Sequence, residues 1–122
     1  MSTQLRLPAR VRPLADEQVI GRWRAARTQS SLRLVHGNLY LTTRRLVFAP
    51  HEWEVTLMGV YIQSGLGNIV EIWRQHKDMS QVLGGSLRDR LCIEFDDRSV
   101  ERFRVTDINE VIIQIRAAAR LS

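Results

Sequence analysis

HGNLYLTTRRLVFAP, residues 36–50, decides the fold. Read with period two, Leu39 and Leu41 fall on one face, with Asn38, Tyr40 and Thr42 on the other. The polar patch Thr42, Thr43, Arg44 and Arg45 interrupts the pattern. Leu46 and Phe48 then resume it up to Pro50, which cannot donate to a central ladder and closes the strand. A connection this short forces antiparallel pairing, because a parallel return needs a crossover of roughly a dozen residues or more. The stretch is a β-hairpin.

Gly37, Leu39, Tyr40, Leu41, Thr42, Arg44, Arg45, Leu46, Val47 and Phe48 together resemble the signature hairpin of GRAM-type domains, a branch of the pleckstrin-homology-like superfold. The resemblance implies a mainly β protein, a small bent barrel or sandwich capped at one end by a C-terminal helix. It implies less about activity, since one fold hosts many functions.

Upstream of the hairpin, residues 1–15 hold two prolines, three arginines and no lasting periodicity, and read as a flexible N-terminal arm. Residues 16–122 then form a single domain. Val19, Gly21, Trp23 and Ala25 share one face of a first strand, with Ile20, Arg22 and Arg24 on the other. Residues 27–31 look like a turn, and a second strand runs from Leu32 or Arg33 to Thr42, with Gly37 marking a bulge or bend.

Downstream, Trp53, Val55 and Leu57 alternate as in a strand, and Met58, Val60 and Tyr61 add apolar bulk before a turn at 64–67. Residues 69–73 read as a strand, with Ile69 and Glu71 opposite Val70 and Ile72, and 75–87 as a loop. Leu91, Ile93 and Phe95 open a last hairpin that turns at Asp97 and Arg98 and returns through Phe103 and Val105. Residues 107–121 form a helix with a capping box from Asp107 to Glu110 and an apolar stripe of Ile108, Val111, Ile112 and Ile115.

At 122 residues, 44% hydrophobic and 25% charged, the chain has room for one core. No apolar run approaches the roughly 20 residues that span a bilayer, and no secretory h-region opens the sequence. The lone Cys92 suits a reducing compartment, so a cytoplasmic location is expected, peripheral at the inner face of the membrane if lipid is bound. The net charge of +5 is unevenly spread. Residues 1–50 carry nine arginines against Asp16 and Glu17, a surplus of seven, while 51–122 carry nine bases against eleven acids, a deficit of two. Arginine forks suit bidentate binding of phosphate or carboxylate; a surface kept basic for solubility is the plainer reading of the same numbers.

His36, His51 and His76 lack metal spacing, and Cys92 has no partnering base in the pattern; no Walker loop or nucleophile elbow is present. The chain is expected to be no enzyme and to carry no cofactor or metal. Nucleic acid is disfavoured, because aromatics make up only 7% and Trp23, Tyr40 and Phe48 are needed for the barrel. Two partners remain. The resemblance implies that loops at the barrel's open end approach anionic phospholipid, which here would use Arg22, Arg24, Arg27 and Arg33, with Trp53 inserting. Alternatively a sheet edge or groove takes a peptide or partner protein, with Met58, Tyr61 and Trp73 as apolar contacts.

Overall fold

The computed structural model describes residues 5–30, 33–53, 60–76 and 89–121. Seven antiparallel strands follow one another: β1 (Val19–Ser30), β2 (Arg33–Thr42), β3 (Arg45–Pro50), β4 (Ile62–Gly65), β5 (Ile69–Gln75), β6 (Arg90–Phe95) and β7 (Val100–Val105), before helix α1 (Ile108–Ala118). Their order in the sheet is β4-β3-β2-β1-β7-β6-β5. The sheet curls on itself: Phe48 of β3 and Phe103 of β7 stand three places apart in that order, yet their ring centroids are 5.4 Å apart. The mainly β fold with one C-terminal helix is the one expected.

Inside the curl, Trp23, Leu39, Leu41, Phe48, Ile93 and Phe103 form the core with their neighbours, and α1 adds Ile108, Val111 and Ile115. The helix rests on β5 and β6. Arg116 reaches Glu71 and the Ile72 carbonyl of β5, and Arg74 of β5 donates to Asn109 Oδ1 at 2.9 Å. The expected capping box is absent. Asp107 sits at φ −108°, ψ 60°, outside the extended geometry a cap needs, and makes no cap hydrogen bond; Glu110 accepts instead from Gln114.

Other local readings change as well. Residues 27–30 continue β1 rather than turning, because their partners run to Arg33 and lengthen the first hairpin. Pairing passes through Gly37 without a shift, so no bulge lies there. A Cβ at Gly37 would stand 2.2 Å from the Ala49 carbonyl oxygen, so close strand approach requires the glycine. In β5 a register shift between Ile69 and Glu71 lets Ile69 and Ile72 both enter the core, where strict alternation would set them on opposite faces.

A second, smaller core lies on the outer face of β2 and β3. Tyr40, Val47 and Ala49 are buried there beneath Val11, with Leu7, Val19 and Tyr61 packed alongside. Every residue of β3 is buried, as expected of a strand covered on both faces. The cover comes from the segment read as an arm: of its described residues, Leu7 and Val11 pack, and Arg12 is held through its carbonyl.

The β2–β3 turn fastens this segment. Thr42, fully buried, accepts from the Arg44 and Arg45 amides and donates to Glu17 Oε2 at 2.7 Å. The Arg45 guanidinium grips Glu17 through Nε and Nη2 at 2.8 and 2.9 Å, and also donates to Gln63 and the Arg12 carbonyl. The Glu17 side chain is 1% exposed. Burial pushes the Glu17 carboxyl up, but hydrogen bonds from Arg45, the Leu14 amide and Thr42 outweigh it and hold the group down at about 2.

Two outcomes follow for stability. Ile115→Asp, which buries an unpaired carboxylate, should abolish cooperative unfolding, while Gln114→Asp should fold; similar melting of both would misassign the helix face. Because the folded Glu17 value lies below its ordinary 4.5, its stabilisation is complete above that pH and is lost as pH falls towards 2. Glu17→Gln should therefore cost about 3 kcal/mol in neutral urea titrations and flatten the acid limb of the stability profile.

Candidate functional site

A cleft of about 920 Å³ lies where β1, β2 and β7 meet the chain after β3 and the start of α1. Its mouth carries Arg24, His36, His51, Trp53 and Arg104, and the Arg74–Asp89 pair closes one side. Strand register explains the grouping. Arg24 faces Asn38, Ala26 faces His36 on one side and Arg104 on the other, so small Ala26 leaves room between longer polar neighbours. His36 stacks on Trp53, with centroids 6.2 Å apart and planes 25° from parallel. The His51 amide donates to the His36 carbonyl at 3.0 Å, which fixes where the chain leaves β3.

Charge in the cleft is unbalanced. Arg74 spends its charge on Asp89, with Nε to Oδ2 at 2.7 Å. Arg24 and Arg104 meet no carboxylate among the described residues, and Arg104 Nε is buried without a hydrogen-bond partner. Trp53 is 56% exposed beside them. Two unneutralised guanidinium forks beside an exposed indole can hold an anion whose carrier is apolar.

The residues singled out from sequence are not all brought together. Arg24 and Trp53 share this cleft, and Arg22 lies two places along the same exposed face of β1. Arg27 points to the other face and is held by Glu101 in a two-pronged pair, Nε to Oε2 at 2.7 Å and Nη2 to Oε1 at 3.1 Å. Arg33 opens β2, half-buried. Tyr61 packs in the second core, Trp73 stands exposed on β5, and Met58 lies outside the described residues. Arg104, His36 and His51 were not foreseen as site residues. The outward phase of Arg104 was visible, but the register that sets β7 beside β1 was not.

Cys92 is buried, and burial pushes its thiol up although Arg102 and Arg90 pull the other way. It is therefore held as a neutral thiol, the unreactive form. Among the described residues no three His, Cys, Asp or Glu side chains gather closely enough to hold a metal ion, and no helix is long and apolar enough to cross a membrane.

The structure is similar to the C-terminal domain of an unknown protein from Leishmania infantum, with a TM-score of 0.68 at 10% sequence identity over 85% of each chain. It is also similar to the pleckstrin homology domain of USP37, with a TM-score of 0.54 at 13% identity over 83% of this chain and 98% of that one. No protein-family model matches the chain, and no curated protein matches its sequence. The likeness establishes a pleckstrin-homology-like fold and does not extend to the GRAM branch.

The difference between committed and uncommitted arginines is measurable. Arg27→Gln strands the half-buried Glu101 and should cost about 2 kcal/mol in urea unfolding. Arg24→Gln should stay within about 0.5 kcal/mol of the parent protein.

Proposed function

We propose that this chain is a non-catalytic binding module that associates peripherally with anionic membrane lipid through the cleft beside Trp53. One observation carries the reading: Arg24 and Arg104 meet no carboxylate among the described residues while an exposed tryptophan lines the same cleft. In this reading the two guanidinium groups meet a headgroup phosphate, and the indole enters the interfacial layer, where its apolar body and N–H are both accommodated. Arg22 adds charge along the same face. Each basic side chain near an anionic leaflet contributes about 1 kcal/mol, so attachment is weak and screened by salt.

A second reading, a protein-interaction module, draws on β5. This strand ends the sheet, and its Val70 and Trp73 are 50% and 37% exposed, which suits an added peptide strand with an apolar side chain.

Co-sedimentation with phosphatidylcholine vesicles containing graded phosphatidylserine separates them. The expected result is binding that rises with acidic lipid and falls with salt. Replacing Arg24 and Arg104 together by Gln should weaken it about 30-fold, the equivalent of about 2 kcal/mol. Trp53→Ala should weaken it by an amount that salt does not change. A wild-type protein that ignores acidic vesicles at low salt would sink the membrane reading and leave the β5 edge as the leading account.

A further inference from the structure

A second group of arginines lies across β6 and β7, on the same outer face as Arg104 and beside it. Cys92 pairs with Arg102 and Gln75 pairs with Arg90, which puts Arg90, Cys92 and Arg102 on the outer face of neighbouring strands. Arg90 and Arg102 are therefore diagonal neighbours, about 7–8 Å apart at the backbone. On β1, Arg27 pairs with Phe103, so Thr28, one step along, comes beside Arg102. Thr28, Gln75, Arg90 and Arg102 line one recess of about 510 Å³, which the neutralised Arg27–Glu101 pair also borders.

Two buried donors of the recess, Thr28 Oγ1 and Arg90 Nε, have no hydrogen-bond partner among the described residues. Neither Arg90 nor Arg102 makes an ion pair among the described residues. The acids of this outer face, Glu94 on β6 and Glu71 on β5, pair with each other in register further along, and Glu71 is taken by Arg116. Like charges set close on adjacent strands are destabilising, and an orphaned buried donor costs about 1–3 kcal/mol. A bound anion removes both penalties. The donor set, two guanidinium forks with a hydroxyl and a carboxamide, matches the several oxygens of a phosphate group better than the two of a carboxylate.

We propose that this recess is a second anion site, lined by other residues than the cleft beside Trp53, that takes a phosphate-bearing ligand through Arg90, Arg102 and Thr28. The phosphate can belong to a soluble molecule or to a phosphomonoester lipid headgroup, since the donors read the shared group.

The test uses the whole chain and inorganic pyrophosphate, followed by calorimetric titration with citrate as the carboxylate control. Pyrophosphate should bind and raise the melting temperature, with citrate weaker. Arg102→Gln and Arg90→Gln should each weaken pyrophosphate binding about tenfold or more, Arg102→Lys should lose less, and Arg120→Gln, exposed just past α1, should leave it unchanged. Melting of the ligand-free variants at or above the parent temperature shows that folding is intact, because each removes like-charge repulsion. Vesicles bearing phosphatidic acid assign the source: an Arg102-dependent gain in sedimentation assigns it to lipid, and pyrophosphate binding without that gain assigns it to a soluble ligand. Absence of pyrophosphate binding overturns the site, as does binding indifferent to Arg90 and Arg102 or lost equally in Arg120→Gln.

Discussion

The buried contact between Arg45 and Glu17 is the constraint on which the rest of this structure depends. Their side chains are 11% and 1% exposed, and each finds nearly all of its hydrogen-bonding capacity satisfied. Glu17 accepts from Arg45 twice, from the Leu14 amide and from the Thr42 hydroxyl. A buried pair is stabilising only with such complete satisfaction, since desolvation otherwise cancels the Coulombic gain. The consequence is structural. The β2–β3 turn becomes the point at which the chain before β1 is pinned, and Arg44 adds a further tie through Nη2 to the Ala15 carbonyl.

Pinning that segment divides the outer face of the sheet. Over β2 and β3, Val11 and Leu7 cover Tyr40, Val47 and Ala49, so this half is interior. Over β1, β7 and β6 the outward positions include Arg22, Arg24, Arg104, Arg102 and Arg90, none paired with a carboxylate among the described residues. On the inner face Arg27 is neutralised by Glu101 and Arg74 by Asp89. The excess of positive charge is thus concentrated on one half of one face, which is where an anionic partner gains most.

The hairpin at 36–50 was legible because period-two alternation, a short polar connection and a terminal proline all agree, and the structure places β2, its turn and β3 there. The helix face was legible for the same reason: Ile108, Val111 and Ile115 recur at helical spacing and are buried. The docking of residues before Glu17 was not, because its cause is a tertiary contact. Arg45 reads as one more basic residue in a turn, and nothing local says that Glu17 lies 2.8 Å from it. A clue was present in β3, where Val47 and Ala49 leave the outer side apolar as well. The basic surface was legible as a charge surplus before Pro50 but not as a site. Its Arg24 comes from that surplus, whereas Arg104, Arg102 and Arg90 come from the acidic half, and only the β1–β7–β6 pairing joins them.

The division of the outer face into a covered half and an anion-facing half is tested most directly by paramagnetic broadening of amide signals with spin-labelled acidic vesicles. The account predicts loss of signal at Arg24, Trp53 and Arg104, with Val11, Tyr40 and Val47 unaffected. Broadening centred on Val11 and Tyr40 would contradict it, as would a spectrum unchanged by the vesicles.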